Sequence, residues 1–261
     1  MKYDVLESII NVALNAGNYI GHYYEGRGFK VSEKKDSHDL VTDVDRESQR
    51  IITTELSRRF PDISIIGEED QDVIRNEHAF FVDPLDGTLN FVKQIPFFTV
   101  SIGYWKDNKP VCAVVFDPIR KDLFYARKGS GSYHNGRKLE ITNSNNGKYQ
   151  LLASDWGHEP YYYQKNILTI QHLLRKNLYL FRFMGCASLA ICYVAAGILD
   201  GYWHYKLSPW DMAAGVLIAR EAGASVTSVK GKSFDLWQKD ILVAEPHIKN
   251  KIIPVFSQVE I

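Results

Sequence analysis

A mixed fold, α+β in the first half and α/β in the second, is what this sequence predicts, on three observations. Two amphipathic helical stretches come first, short β-rich runs joined by hairpin-length links come next, and strands alternate with helices beyond a polar stretch at Thr142–Lys148. The chain has 261 residues, 45% of them hydrophobic and 13% aromatic, enough for one large core or two that share an interface. Its 31 Lys and Arg balance 31 Asp and Glu. No overall basic excess exists to release counterions from a nucleic acid, which argues against such a partner.

Residues 4–25 set Val5, Leu6, Ile9, Ile10, Ala13, Ala16 and Ile20 at spacings of three and four, the stripe of an amphipathic helix. Asp4, Glu7 and Asn11 interrupt it, so it fits neither a signal peptide nor a membrane span. A cytoplasmic protein without a membrane partner is therefore expected. Ser32–Asp39 is polar and predicts an exposed loop. Asp43–Phe60 repeats the helical pattern with Ile51, Ile52 and Leu56 and ends at Pro61.

Strands are expected at Ile63–Ile66, Ala79–Val82, Phe98–Trp105, Val111–Phe116 and Leu123–Ala126. The links Lys106–Lys109 and Asp117–Asp122 make them an antiparallel meander packed on the two helices. The polar run near Thr142 then divides the chain into 1–146 and 147–261. In the second part, strands at 151–154, 179–183, 201–205, 224–229 and 241–244 alternate with helices at 161–175, 187–196 and 211–221. Cys112, Cys186 and Cys192 are odd in number and lack a CxxC spacing, so they read as free buried thiols.

Chemistry concentrates in Phe80-Phe-Val-Asp-Pro-Leu-Asp-Gly-Thr-Leu-Asn-Phe91. A buried run ends at Asp83, Pro84 turns the chain, Asp86-Gly87 permits a tight bend, and Thr88 begins a helical turn. Two carboxylates and a hydroxyl meet there beside free amides, which suits a hard divalent cation and a phosphate together. A second acidic segment, Ile65-Ile-Gly-Glu-Glu-Asp70, offers Glu68 directly after a glycine, whereas Glu69 and Asp70 read as an exposed acidic loop. In a third, Ser208-Pro-Trp-Asp211, Asp211 lies in the first turn of an apolar helix, where an acid also serves as an ordinary cap.

Taken together these segments resemble the inositol monophosphatase family of magnesium-dependent, lithium-sensitive phosphatases, which includes fructose-1,6-bisphosphatases and nucleotide phosphatases. The resemblance spans nearly the whole chain and rests on Asp83-Pro-Leu-Asp-Gly-Thr88, Asn90-Phe91 and Trp210-Asp211, with support from Gly67-Glu-Glu69, Leu40-Val-Thr-Asp-Val-Asp45 and Gly129–Gly136. It implies a layered αβαβα sandwich, a homodimer, and two to three Mg2+ ions per site, with Mn2+ as a substitute. By resemblance, Glu68, Asp83 and the Leu85 carbonyl hold one ion, and Asp83, Asp86 and Asp211 a second. A third would lie near Glu68. Thr88 and Asp45 would orient an attacking water, although Asp45 also suits a helix cap. The amides of Gly87 and Thr88 would grip the phosphate, and Lys34 falls where the family has a lysine on a mobile loop.

The resemblance also assigns Gly185-Cys186-Ala187 to a turn that contacts substrate. Inositol-preferring relatives carry a glutamate seven residues before the WD aspartate, where this chain has His204. One donor and one acceptor replace two acceptors, which opens the choice to NADP and other nucleotides, sugar phosphates or histidinol phosphate. His204 also reads as a plain polar residue at a strand end. Trp156 and Tyr161-Tyr-Tyr163 read as packing residues, and the other seven histidines show no ligand spacing. The expected function, by resemblance, is Mg2+-dependent hydrolysis of a small phosphorylated metabolite, of the inositol-1-monophosphatase type, by direct attack of water. A regulatory protein that binds the transcription machinery, as some bacterial relatives do, is the rival reading.

Overall fold

The structure is a computed structural model and describes residues 3–26, 28–33, 40–70, 74–141, 150–156, 159–175 and 179–259. In the first half come α1 (Val5–Gly26), β1 (Val31–Glu33), β2 (Leu40–Thr42), α2 (Asp43–Arg59), β3 (Ser64–Gly67), β4 (Ala79–Asp86) and α3 (Thr88–Val92). The meander follows as β5 (Thr99–Lys106), β6 (Lys109–Asp117), β7 (Asp122–Arg127), β8 (Ser132–His134) and β9 (Arg137–Lys138). The second half holds β10 (Leu151–Ser154), α4 (Pro160–Arg175), β11 (Leu180–Phe183), α5 (Ala187–Ala195) and β12 (Gly201–His204). It closes with α6 (Pro209–Glu221), β13 (Ser225–Thr227), β14 (Ile241–Ala244) and α7 (Pro246–Phe256).

Strand alternation explains the layering. In β4, Phe80 and Val82 face one way and pack with Ile9, Val12, Ile20, Ile52 and Leu56 of the first two helices. Phe81 faces the other way, with Trp105, Ala113 and Val115, onto the apolar α5 and α6. The same cluster continues into Ala153, Tyr202 and Val243 of the second sheet. On that sheet's far face, Leu152, Trp203 and Leu242 meet Leu173 of α4 and Ile248, Ile252 and Phe256 of α7. The order is thus αβαβα. The first sheet runs β3-β4-β5-β6-β7-β8-β9, antiparallel except for β3 with β4, and the second runs β11-β10-β12-β14-β13.

Two details seat the site. Asp107 and Asn108 both take positive φ, 53° and 55°, so a tight two-residue turn fixes the β5–β6 register. In β5, Gly103 lets α6 lie directly on the strand, because a Cβ there would meet the Ala213 carbonyl carbon at 2.7 Å. Trp105 Nε1 donates to the Ala213 carbonyl at 3.0 Å beside it.

The structure departs from the sequence expectation at four places. Ser32 and Glu33 are exposed, as expected, but belong to β1, which pairs antiparallel with β2; the rest of that expected loop, 34–39, lies outside the described residues. β4 continues through Pro84 to Asp86 by a register shift between Asp83 and Asp86, since proline lacks the ladder donor and a bulge absorbs it. β8 and β9 are too short and polar to show alternation. α7 was hidden by its prolines, of which Pro246 occupies a first-turn position where no amide is needed and the Glu245 side chain caps the His247 and Ile248 amides. Lys34 and the 146/147 boundary lie outside the described residues. The three cysteines are free and buried.

Candidate active site

Asp83 continues the inward face of β4 after Phe81 and is buried. Its Oδ1 accepts the Leu85 amide at 3.1 Å. Burial, followed by the charges of Glu68, Asp86 and Asp211, pushes its carboxyl well above the ordinary range. Glu68 lies alongside because its amide extends the β3–β4 ladder to the Val82 carbonyl at 3.1 Å. The two acids share a hydrogen bond. Glu69 is half-buried, and Asp70 turns back to accept the amide of Gly67 and the amide side chain of Gln49 at 2.6 and 2.9 Å. Asp70 is exposed, as expected, and with the Glu69 amide, which donates to Gln49 Oε1 at 3.0 Å, it closes the turn that presents Glu68; the half-buried Glu69 departs from the exposed reading.

The glycine at 87 sits at φ 97°, and a Cβ there would meet the carbonyl oxygens of Phe97 and Gly185 at 3.0 and 3.1 Å. This bend starts α3 and aims Thr88 at α2. Thr88 Oγ1 lies 2.8 Å from Asp45 Oδ1 and 3.1 Å from the Leu85 carbonyl. Asp45 is the third residue of α2 in a capping box whose N-cap is Thr42. Its Oδ2 accepts the Thr42 amide at 2.9 Å and the Thr42 hydroxyl as well. Burial raises its carboxyl to about 6 against these hydrogen bonds. Ser48, one turn along α2, donates to the Pro84 carbonyl at 2.9 Å and ties the helix to the acidic loop. Capping and pairing with Thr88 are thus one arrangement, made with different oxygens of Asp45.

Asp86 is held from the second half of the chain. Its two oxygens accept the Ala187 and Ser188 amides at the start of α5, at 3.2 and 2.6 Å. Burial raises its carboxyl, opposed by hydrogen bonds from Ser188 and Cys186. Of the expected substrate turn, Gly185 is exposed, while Cys186 and Ala187 are buried and the Ala187 amide is committed to Asp86. Asp211 repeats the pattern of Asp45. It is the third residue of α6 in a capping box and accepts the Ser208 amide at 2.8 Å. His204 is buried at the end of β12, and its Nδ1 accepts the Lys206 amide at 3.0 Å, so one nitrogen serves the chain itself. Tyr162 packs in the outer core, whereas Trp156 and Tyr161 are exposed and Trp156 lies parallel to Phe183 with centroids 4.5 Å apart.

Sequence reasoning missed Asp155 and the part played by Asn90. Asp155 Oδ1 accepts the amides of Met184 and Gly185, both at 2.6 Å, and Oδ2 accepts the Tyr202 hydroxyl at 3.0 Å. Burial carries this carboxyl up to about 7. The available signal was an acid directly after the strand Leu151–Ser154, the same pattern that marks Asp83.

Among the described residues, no group of three acidic, histidine or cysteine side chains is already closed round a metal position. Asp86 and Asp211 rest on backbone amides instead. The donor set nevertheless fits magnesium. The expected donors, the carboxylates of Glu68, Asp83, Asp86 and Asp211 and the Leu85 carbonyl, are all oxygen, and a cation would relieve the mutual repulsion that adds to burial in lifting Asp83.

Comparison with known proteins matches residues 2–260 to the inositol monophosphatase family. The chain belongs to that family. Nus factor SuhB of Pasteurella multocida is 36% identical over 268 residues, covering 97% of each chain. A Thermotoga maritima fructose-1,6-bisphosphatase/inositol-1-monophosphatase is 31% identical, covering 98% of this chain and 97% of the relative. The crystal structure of extragenic suppressor protein suhB from Bartonella henselae superposes with a TM-score of 0.90 at 34% identity, covering 97% and 98%. The inositol monophosphatase family is Mg2+-dependent, and a similar IMPase/NADP phosphatase structure holds Mg2+ and phosphate (TM-score 0.79, 25% identity, 92% and 90% covered). Among the described residues, no helix is long and apolar enough to cross a membrane.

Proposed function

We propose that this protein is a magnesium-dependent phosphomonoesterase for a small phosphorylated metabolite. The observation that carries the reading is the Thr88–Asp45 pair, 2.8 Å apart, set against the Leu85 carbonyl and the acids around Asp83. Glu68, Asp83 and the Leu85 carbonyl would hold one ion, Asp83, Asp86 and Asp211 a second, and a third would lie near Glu68; Mn2+ would substitute. When bound, magnesium supplies positive charge for the phosphate oxygens and makes water acidic enough to attack at neutral pH.

Asp45, anchored by Thr42, accepts the Thr88 hydroxyl hydrogen bond and so turns the Oγ1 lone pairs toward the attacking water. As water attacks, one proton moves from it to Thr88 Oγ1 while the Thr88 hydroxyl proton moves to Asp45, which ends with a single added proton. Gly87 and Thr88 offer their amides to the phosphate at the start of α3. Water is the nucleophile in this reading. The Cys186 thiol is buried and pushed well above its ordinary pKa, so it stays protonated. With His204 in place of the family's glutamate, nucleotide and sugar phosphates stand beside inositol 1-phosphate as substrates. A homodimer in the cytoplasm is part of the proposal and rests on the family.

Phosphate release tests it, with Mg2+ and with chelator, from inositol 1-phosphate, NADP, 2′-AMP, fructose 1,6-bisphosphate, 3′-phosphoadenosine 5′-phosphate and histidinol phosphate. Magnesium-dependent release that Asp83→Asn abolishes supports the reading, and release unchanged by chelator overturns it. The relative named Nus factor SuhB favours a second role beside catalysis. An Asp86→Asn variant separates the two, because a binding role survives that change and a hydrolytic one does not.

A further inference from the structure

The peptide at Met184–Gly185 is gripped from both sides. Asp155 takes its two amides, as described, and Asn90 Nδ2, two residues beyond Thr88, donates to the Met184 carbonyl at 2.9 Å and the Phe97 carbonyl at 2.8 Å. Gly185 is at φ 69°, and a Cβ there would meet Asn90 Nδ2 at 3.0 Å, so the turn has no room to shift toward α3. Two residues on, the amides of Ala187 and Ser188 hold both oxygens of Asp86. Asp155 is in turn fixed from β12 by the Tyr202 hydroxyl, and Tyr202 is fully buried.

We propose that Asp155 is a positioning residue for metal binding: by holding the Met184–Gly185 amides it sets the start of α5, and α5 sets the direction of the Asp86 carboxylate. This inference rests on the reading of Asp86 as a metal ligand. The physical case is that a carboxylate aimed by two amides is only as well placed as those amides. Rotating the 184–185 peptide swings the Ala187 and Ser188 donors, and Asp86 follows them or loses them. Groups that hydrogen-bond a metal ligand and hold its orientation change metal affinity about 10–100-fold when removed. Asp155 does not touch substrate or metal in this account.

The experiment measures Mn2+ binding by electron paramagnetic resonance on the full chain, together with the Mg2+ concentration that half-saturates phosphate release. Asp155→Ala is expected to weaken Mn2+ binding about 10-fold or more. Asp155→Asn keeps an oxygen for the two amides and offers Nδ2 to the Tyr202 oxygen, so it should bind Mn2+ within about threefold of wild type. Asp200→Ala is the control for a merely structural loss. Its carboxylate accepts the Leu151 amide at 2.6 Å at the other end of β10, so this variant lowers the melting temperature and leaves Mn2+ binding alone. If Asp155→Ala does not fold, Asp155→Glu, which pushes the carboxylate a methylene further, is expected to show the loss. Wild-type Mn2+ binding by whichever of these two variants folds, a loss in Asp155→Asn equal to that in Asp155→Ala, or an equal loss in Asp200→Ala overturns the inference. A wild-type protein that binds no Mn2+ overturns the metal-site reading and this inference with it, an outcome distinct from the others.

Discussion

Chelating divalent metal should make this protein lose stability as pH rises from acid to neutral, opposite to the usual behaviour of proteins whose acids are salt-bridged. Asp45 is raised to about 6 and Asp155 to about 7, from an ordinary 3.8. An acid whose folded pKa exceeds its unfolded value binds more protons in the folded state. Stability therefore falls as pH rises between the two values, and the penalty is complete above the folded one. At 1.36 kcal/mol per pKa unit, the penalty is on the order of 3 kcal/mol for Asp45 and 4 kcal/mol for Asp155. Asp83 and Asp86 shift in the same direction and add to it. Native domains are typically stable by about 5–15 kcal/mol, so the sum is a large fraction of the whole. At the surface, Asp4, Glu47, Glu55 and Glu140 are held low by Arg127, Arg50, Arg58 and Lys138, and that contribution is largely in place by about pH 5. The assay is urea denaturation in chelator and in millimolar Mg2+ from about pH 5 to about pH 8. The metal-free midpoint should drop across that range, and Mg2+ should restore it most at the alkaline end. A metal-free midpoint that is flat or rises would refute the reasoning, because the acids would then not be buried and crowded as described.

Three further outcomes follow from the geometry. Thr88→Val removes the hydroxyl between Asp45 and the attacking water and should lower kcat about 10²–10⁴-fold with little change in KM; a loss under about tenfold in steady-state kinetics would count against the relay. Gly103→Ala puts a methyl into the Ala213 backbone and should cost about 1–3 kcal/mol, read as a lower thermal midpoint; an unchanged midpoint would mean that α6 does not lie on β5 so closely. Inorganic phosphate should bind by calorimetry only after Mg2+ is added, since the acids around Asp83 repel an anion; equal binding in chelator would contradict that.

Much of this was legible in the sequence because periodicity reports burial. α1 and α2 show one apolar face and are found within a residue or two of their expected ends. β4 was legible as far as Val82, where the apolar run stops, but its passage through Pro84 was not, since a proline in a strand normally argues against one. The acids at 68, 83, 86 and 211 stand out as carboxylates at the ends of apolar segments. Asp155 has the same placement, yet it follows a four-residue strand and carries no motif, and its partners lie 29, 30 and 47 residues away. Contacts of that span leave no local trace. The same holds for the Ala187 and Ser188 amides, which donate to Asp86 from 101 and 102 residues away.

The capping box at the start of α6 has a consequence for how chains of this fold change over time. Asp211 takes the amide of the N-cap residue Ser208, so replacing it by alanine costs about 0.5–1.5 kcal/mol of hydrogen bonding whatever becomes of the chemistry. A descendant that had abandoned hydrolysis would keep it for the sake of its helix. Asp45 caps α2 in the same way, but its burial outweighs that gain once no cation is bound, and Glu68 stands at the end of a strand and starts no helix. Drift should therefore reach those two before Asp211, and their identities tell more about whether such a chain still turns over substrate than the α6 aspartate does.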